Sequence, residues 1–320
     1  MPNRNIDTIL LAYELLAEVH LQRIAAAAPS ARLLRPSELA AEPEPERIDV
    51  LMGYLPPGQL ERLTGLRWMQ QPGAGADWLM RAPAFRDSDV LLSNASGVHA
   101  IPIAEHVLAL MFALSRRLHF FVKAQTQRKW DRRGRLGELE GSTLGIVGVG
   151  AIGEALANKA RGLGMRVLGL RRDKSRVSPH VEKMLGPGEL HHLLGESDWV
   201  AVTAALTPET RGLFGAAEFA AMKESAYLIN IGRGAILDEQ ALITALESKT
   251  IAGAGLDVFE REPLPEDSPL WAMKNVILTP HFAGATPHYA DRVTEIFVDN
   301  LERYQRGEPL RNLVDKQRAY

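Results

Sequence analysis

The chain has 320 residues, of which 46% are hydrophobic and 24% are charged, with a formal net charge of −2 and no cysteine. This length predicts two domains, and the small net charge gives no electrostatic case for binding nucleic acid or an anionic membrane. Without cysteine there are no disulfides, thiolate metal sites or cysteine nucleophile. No apolar run approaches the roughly 20 residues of a membrane span, and the first residues do not resemble a signal peptide, so we expect a cytoplasmic protein.

Short apolar segments alternate with helical patterns over the first hundred residues. Strands are predicted at Thr8–Leu11, Arg32–Leu34, Val50–Gly53, Trp68–Gln70 and Val90–Ser93, and helices at Glu14–Ala28 and Gly58–Leu63. Such alternation is typical of a parallel sheet with helices on both faces.

A long helix is predicted from Ile103 to about Lys129, followed by an arginine-rich loop. A second alternating unit comes next, with six strands, the size of a complete dinucleotide-binding domain. These strands are predicted near Thr143–Val147, Arg166–Leu170, Trp199–Thr203, Ala226–Ile231, Gly253–Asp257 and Val276–Thr279. A single helix from Thr286 to about Arg306 then precedes the polar C-terminal segment.

A glycine-rich turn lies between the first strand of this second unit and the helix that follows it. Gly148, Gly150 and Gly153 form a G-x-G-x-x-G pattern, with Ala151 and Ile152 between the last two glycines. These glycines allow a tight turn, close approach to a pyrophosphate, and close packing of helix on strand. Because a helix N-terminus also attracts phosphate, the pattern in this context predicts a dinucleotide site.

Three polar residues follow strands of the second unit: Arg233, Glu262 and His281. Ligands of open α/β sheets bind beyond the carboxyl ends of the strands, so all three should point toward the cofactor crevice. An arginine can hold a carboxylate with two hydrogen bonds, and a carboxylate beside an imidazole orients the ring as a proton donor. Taken singly, each residue could equally be an ordinary loop residue.

Several motifs in order resemble the D-isomer-specific 2-hydroxyacid dehydrogenase family, of the glyoxylate/hydroxypyruvate reductase type, over nearly the whole chain. The segments that carry this resemblance are Ser96–His106, Leu144–Gly153, Leu206–Thr210, Asn230–Gly234, Gly255–Pro263 and Thr279–Thr286. The resemblance implies an α/β protein with a Rossmann-type dinucleotide-binding domain at residues 99–284. Residues 1–98 and 285–320 would form a flavodoxin-like α/β substrate domain that is discontinuous in sequence.

Carried over residue by residue, the resemblance assigns Arg233 to the carboxylate and carbonyl of a 2-oxo acid. It makes His281 the general acid/base and Glu262 the carboxylate that supports it. Backbone N–H groups of Ala74 and Gly75 would bind the same carboxylate, and Asp257 would hold the nicotinamide carboxamide. The cofactor-binding residues implied in this way are Gly148, Gly150, Ala151, Ile152, Gly153, Arg171, Arg172, Thr210, Ile231, Gly232, Asp257, Ala283 and Gly284.

The cofactor is expected to be NADP(H) in preference, with NAD(H) possible. An acidic residue that binds the adenosine ribose usually ends the second strand of such a domain, about 20 residues beyond the glycines. Here Arg171 and Arg172 stand at that position. Arginine offers charge-assisted bonds to a 2′-phosphate, whereas an aspartate would repel it.

We further expect a homodimer, no metal, no nucleic acid and no membrane partner. The helix predicted from Ile103 is too apolar at its start to face water. On the same scaffold, phosphite or formate oxidation is an alternative, although Glu262 counts against formate. A non-enzymatic, dinucleotide-sensing corepressor is a third possibility. The nature of the 2-oxo acid does not follow from the sequence, although Tyr54, Leu55 and Trp78 suggest an apolar wall.

Overall fold

A computed structural model describes residues 5–318. They fall into two compact units, one containing the residues up to Val98 and those from Thr286 onward, the other containing His99–Ala285. No helix among the described residues has both the length and the apolar character needed to cross a membrane.

The strands, in chain order, are β1 (Thr8–Ala12), β2 (Arg32–Leu34), β3 (Ile48–Gly53), β4 (Trp68–Gln70), β5 (Leu91–Ser93), β6 (Thr143–Val147), β7 (Arg166–Leu170), β8 (Lys183–Leu185), β9 (Trp199–Val202), β10 (Tyr227–Asn230), β11 (Gly253–Leu256) and β12 (Val276–Leu278). The α-helices are α1 (Glu18–Ala27), α2 (Pro36–Leu39), α3 (Pro57–Leu60), α4 (Pro83–Arg86), α5 (Ala100–Ser115), α6 (Leu118–Thr126), α7 (Ala151–Gly162), α8 (Leu190–Glu196), α9 (Ala216–Ala221), α10 (Glu239–Glu247) and α11 (Tyr289–Gln305).

The first unit contains a five-stranded parallel sheet in the order β2-β1-β3-β4-β5, which is the flavodoxin-like order. Alternate residues of each strand pack on opposite faces. In β1, Ile9 and Leu11 face the cluster that includes Phe297 of α11, whereas Leu10 belongs to the cluster on the other face. Apolar residues on both sides therefore bury the central strands β1, β3 and β4 almost completely.

The second unit contains a seven-stranded parallel sheet in the order β12-β11-β10-β9-β6-β7-β8. Six of these strands follow the Rossmann order, with β12 added at one edge. Ile146 packs toward α5 and α7, while Val147 packs on the face that α8 and α10 cover. The predicted α/β class with a Rossmann-type domain is thus confirmed.

Two details of the second unit differ from the sequence prediction. A seventh strand, β8, is present because three residues pair in parallel with the end of β7 at the sheet edge. The single helix predicted from Ile103 to about Lys129 is instead two helices, α5 and α6. The helix is interrupted at Arg117, because its φ of 55° lies in the left-handed region and is incompatible with a continuous right-handed helix.

Candidate active site

The glycine-rich turn joins β6 to α7 with the geometry that a bound pyrophosphate needs. Gly148 has φ of +101°, and a Cβ there would lie 2.5 Å from the backbone of Ala204, so only glycine fits. A Cβ on Gly153 would lie 2.9 Å from the Gly148 carbonyl oxygen, which keeps helix and strand in close contact. By contrast, a Cβ on Gly150 would meet nothing within 4 Å.

The N-terminus of α7 opens onto that free space beside Gly150. The first intrahelical hydrogen bond runs from the Glu154 N–H to the Gly150 carbonyl at 2.8 Å. The N–H groups of Ala151, Ile152 and Gly153 therefore precede the bonded part of the helix. Open space and unbonded amides fit the phosphates of a dinucleotide.

Arg171 and Arg172 follow the end of β7, and each approaches a carboxylate. Arg171 donates to the Arg176 carbonyl at 3.1 Å, and its Nη1 lies 3.9 Å from Oε1 of Glu154 in the first turn of α7. Nη2 of Arg172 lies 3.9 Å from Oε2 of Glu209. Arg172 is the more exposed of the two side chains, at 55% against 20%.

The remaining residues assigned to the cofactor lie in loops after strands of the same sheet. The Thr210 hydroxyl donates to the Ala205 carbonyl at 2.7 Å. Ile231 is buried, and the Gly232 N–H donates to Asn230 Oδ1 at 3.1 Å. A Cβ on Gly284 would lie 2.7 Å from Nδ1 of His99, so this glycine is closely packed.

Arg233 stands just beyond β10 in a loop that a buried amide organises. Asn230, which is fully buried, donates from Nδ2 to the Arg233 carbonyl at 3.2 Å and accepts from Gly232. The Arg233 guanidinium donates to the Gly232 carbonyl at 2.9 Å. Gly234 allows the next turn to pack on the backbone of Phe259, where a Cβ would overlap. Asn230 thus holds the loop that carries Arg233.

Glu262 and His281 form a direct pair, with Oε2 of Glu262 at 2.7 Å from Nδ1 of His281. The other carboxylate oxygen, Oε1, accepts the Phe259 N–H at 3.0 Å, which fixes the orientation of the acid. His281 has a backbone φ of 52°, and its N–H donates to the Asp257 carbonyl at 2.8 Å. With Nδ1 engaged by Glu262, Nε2 is the ring nitrogen left for a substrate.

Asp257 lies beneath this loop and is 2% exposed. Its Oδ1 accepts from the Thr279 hydroxyl at 2.5 Å and from the Phe282 N–H at 3.0 Å, while Oδ2 accepts the Ala283 N–H at 3.0 Å. Nε2 of His106, from α5, lies 3.0 Å from the Thr279 hydroxyl oxygen. The hydrogen bonds of Asp257 therefore fix the backbone of the loop that carries His281.

Sequence reasoning assigned no role to His106, Thr279 or Asn230. His106 and Thr279 are 173 residues apart in the chain, so no local pattern connects them. Asn230 lies in the Asn230–Gly234 motif that contains Arg233, and this position could have indicated a role in supporting that loop. Within residues 5–318, no group of three or more His, Asp or Glu residues could hold a metal ion.

Arg233 and His281 both lie beyond the carboxyl ends of strands of the seven-stranded sheet. They follow β10 and β12, which flank β11 and its Asp257. Ala74 and Gly75 belong to the other unit, in the loop that follows β4. Their neighbours Gln71 and Asn94 donate hydrogen bonds to the carbonyls of that loop, and the sequence prediction did not include either residue.

Comparison with known proteins gives a consistent identity. Residues 108–283 match the family described as D-isomer specific 2-hydroxyacid dehydrogenase, NAD binding domain. The chain is 40% identical over 269 residues to a glyoxylate/hydroxypyruvate reductase B of Escherichia fergusonii, which covers 81% of each chain. It is 39% identical over 236 residues to a glyoxylate reductase of Korarchaeum cryptofilum, covering 71% of this chain and 70% of that one.

Two solved structures resemble nearly the whole chain. A D-isomer specific 2-hydroxyacid dehydrogenase of Xanthobacter autotrophicus, in complex with NADPH and MES, has a TM-score of 0.83 and 33% identity, covering 98% of this chain and 99% of that one. An NADPH-dependent glyoxylate/hydroxypyruvate reductase of Sinorhizobium meliloti, with NADP and sulfate, has a TM-score of 0.82 and 29% identity, covering 98% and 100%. The chain therefore belongs to the D-isomer specific 2-hydroxyacid dehydrogenase family and is an NAD(P)-dependent oxidoreductase.

Proposed function

We propose that this enzyme reduces a small 2-oxo acid of the glyoxylate or hydroxypyruvate type to the D-2-hydroxy acid, with NADPH as the preferred reductant. The observation that carries the proposal is the 2.7 Å pair of Glu262 and His281, at the sheet edge that also bears Arg233. The names of the relatives support the substrate class. In this proposal the five-stranded unit is the substrate domain.

Each of these side chains has a distinct part in the reduction. Arg233 binds the substrate carboxylate and carbonyl through its guanidinium, and the N–H groups of Ala74 and Gly75 bind the same carboxylate. Protonated His281 donates a proton from Nε2 to the carbonyl oxygen as negative charge develops there. Glu262 holds the ring through Nδ1 and stabilises its positive charge. Reduced nicotinamide, when bound, supplies the hydride.

A substrate panel tests the substrate class. Glyoxylate, hydroxypyruvate, pyruvate and phenylpyruvate at about 1 mM, the upper end of common KM values, would each be offered with NADPH. We expect the fastest oxidation of NADPH with glyoxylate and hydroxypyruvate, and weaker turnover with pyruvate and phenylpyruvate. Phosphite and formate with NADP would be run in parallel. Turnover of either of these, with none of the 2-oxo acids reduced, would contradict the proposal.

We propose that Arg171 and Arg172 select NADPH over NADH. Arg172 is the more exposed of the two, and Arg171 is oriented through Glu154 and the Arg176 carbonyl. Changing both to serine should raise the KM for NADPH roughly tenfold to a hundredfold, since a hydrogen bond to a charged group is worth about 1.5–3 kcal/mol. The KM for NADH should change far less.

Arg161→Ser is the matched control, because it removes an exposed cation from the last turn of α7, at the other end of that helix. It should leave both KM values near those of the parent. Comparable efficiency of the parent enzyme with NADPH and NADH would overturn the proposed preference.

We also propose that the enzyme forms a homodimer through the helix pair α5 and α6 and the loop after it. Exposed apolar side chains concentrate there and include Ile101 (47%), Leu118 (48%), Val122 (60%) and Trp130 (93%). Such a patch on a single chain is typical of a surface that another subunit covers.

Sedimentation at micromolar concentration tests this assembly. The parent should sediment as a dimer, and the double variant Leu118→Glu with Val122→Glu should sediment as a monomer. Val19→Glu is the control, since Val19 is 55% exposed on α1 of the other unit. A monomeric parent would contradict the proposal.

A further inference from the structure

The loop Gly73–Ala76 follows β4, and buried side-chain amides hold its carbonyl groups. Gln71 is fully buried and donates from Nε2 to the carbonyls of Gly73, at 3.1 Å, and Gly75. Asn94 is 6% exposed and donates from Nδ2 to the Ala74 carbonyl at 2.7 Å. Three successive carbonyls of this loop therefore accept from two buried amide side chains.

The partners of these two amides fix which way each one points. The indole N–H of Trp78 can only donate, and it lies 2.6 Å from Oε1 of Gln71, so Nε2 must face the loop carbonyls. Oδ1 of Asn94 accepts the Ser96 N–H at 3.0 Å, which leaves Nδ2 for Ala74. Each amide has a donor on one side and an acceptor on the other, and its orientation is unique.

Because peptide units are planar and trans, the direction of each loop carbonyl also fixes the direction of the N–H group in the same peptide. In a trans peptide the N–H points away from the C=O of the same unit. The Gly73 carbonyl shares its peptide with the Ala74 N–H, and the Ala74 carbonyl shares its peptide with the Gly75 N–H. Drawing these two carbonyls toward Gln71 and Asn94 turns both N–H groups the opposite way.

Within residues 5–318, neither of these two N–H groups donates to a described acceptor of the chain. Gly75 is exposed and Ala74 half-buried. A carbonyl that accepts a hydrogen bond also makes the N–H of its own peptide a stronger donor, because hydrogen bonds in a chain polarise one another. The loop therefore presents two adjacent, polarised donors, which suits an anion.

A tyrosine supports the start of the same loop. The Tyr289 hydroxyl donates to the Pro72 carbonyl at 2.7 Å, and the Gly73 N–H donates to the Tyr54 hydroxyl at 3.2 Å. Burial, with Tyr13 and Tyr54 nearby, raises the pKa of Tyr289 well above its usual range. The phenol thus stays protonated and remains a donor at any ordinary pH.

We propose that Gln71 and Asn94 are positioning residues for substrate binding, which set the Ala74 and Gly75 amides to receive the carboxylate of the 2-oxo acid. This inference rests on the proposed function. It adds to that proposal that the affinity for the carboxylate depends on two buried amides that do not contact the substrate. Since the same contact persists in the transition state, its loss should raise KM and leave kcat almost unchanged.

Gln71→Met and Asn94→Leu test this inference, because each keeps the size and neutral charge of the side chain and removes its donor. We expect the KM for glyoxylate to rise about tenfold to a hundredfold, with kcat within about threefold and the Kd for NADPH unchanged. The control is Gln305→Met, which removes an amide that donates to the Ala27 carbonyl at 3.3 Å in the same unit. It should leave the KM unchanged.

Oxamate, an unreactive carboxylate with the shape of a small 2-oxo acid, gives a second measurement on the parent enzyme. In amide NMR spectra of the enzyme with NADP, oxamate should shift the Ala74 and Gly75 signals most strongly within this unit. This result decides the matter if either variant fails to fold. Folded variants with parental KM, or oxamate binding without shifts at these two amides, would overturn the inference. A parent that binds oxamate through these amides but reduces no 2-oxo acid would contradict only the proposed function.

Discussion

Two loops at the carboxyl ends of parallel strands are supported by buried polar side chains of opposite hydrogen-bonding character. Under the loop of His281, the carboxylate of Asp257 accepts the N–H groups of Phe282 and Ala283. Under the Gly73–Ala76 loop, Gln71 and Asn94 donate to the carbonyls. Because Asp257 accepts hydrogen bonds from beneath the loop, the backbone N–H groups of Phe282 and Ala283 point toward the protein interior. The His281 side chain is then the group of this loop that can contact a ligand. A donor below draws the carbonyls inward and leaves backbone amides to bind an anion.

The difference teaches that the polarity of the buried side chains beneath a loop sets which backbone groups the loop can offer to a ligand. The charged acceptor suits the loop that is proposed to carry the proton donor, since backbone N–H groups and the Thr279 hydroxyl already bind and stabilise its negative charge. The neutral donors suit the loop that is proposed to bind a carboxylate, because they bring no negative charge near it. Each loop has the support that its proposed task requires.

Among the variants that alter substrate binding or the support of a loop, the largest expected effect is that of Arg233→Ala, which removes the guanidinium proposed to bind the substrate carboxylate. Truncating one partner of a charge pair costs roughly 2–5 kcal/mol, so kcat/KM for glyoxylate should fall by about a thousandfold. The Kd for NADPH, followed by fluorescence, should stay near the parental value. Arg211→Ala, which removes an exposed cation of the same unit, is the control. Loss of NADPH binding together with turnover would instead indicate a structural role for Arg233.

The next effect is that of Asp257→Asn, which replaces half of the acceptor beneath the His281 loop with a donor. We expect kcat to fall about tenfold to a hundredfold, and the free energy of unfolding to fall by about 1–3 kcal/mol. Thermal denaturation and steady-state kinetics measure the two effects separately.

Asp198→Asn is the matched control for this variant. Asp198 accepts the Thr143 N–H at 2.9 Å and pairs with Lys223, but at the amino edge of the same sheet. It should lower stability and leave kcat unchanged. An Asp257→Asn enzyme with parental kcat would show that the acceptor beneath the loop does not matter for turnover.

The smallest effect is expected for Glu262→Gln, which keeps the contact to the ring but removes the negative charge. Both side chains of the pair are partly exposed, so the charge is worth about 0.2–1 kcal/mol, and kcat for glyoxylate should fall about twofold to fivefold. The measurement is kcat at saturating glyoxylate, with Glu266→Gln, in the same exposed loop, as control. A Glu262→Gln enzyme with parental kcat would refute the coupling of Glu262 to His281.

The sequence was sufficient to predict the elements with strong local signals. The β6 strand, the glycine turn and α7 lie within a few residues of the predicted positions, because strand, turn and helix each have a pattern of their own. The break between α5 and α6 was missed, since Arg117 is neither glycine nor proline and gives no local indication of a left-handed residue. Strand β8 has only three residues and too little periodicity to recognise.

The hydrogen bonds that support the two loops could not be predicted from the sequence for a different reason. Asp257 and Ala283 are 26 residues apart, and Ala74 and Asn94 are 20 apart, so only the completed sheet brings them together. Gln71 and Asn94 also look like ordinary polar loop residues. Their burial, which makes them structural donors, becomes visible only when the neighbouring strands are in place.

The most direct test of the proposed catalysis is the rate of NADPH consumption at saturating glyoxylate by the parent and by His281→Asn. Removing a general acid typically costs a factor of about 10²–10⁴. We predict a loss of that size in kcat, with the Kd for oxamate close to the parental value, because His281 is not among the groups proposed to bind the carboxylate. A His281→Asn enzyme that reduces glyoxylate at the parental rate would contradict the assignment of His281 as the proton donor.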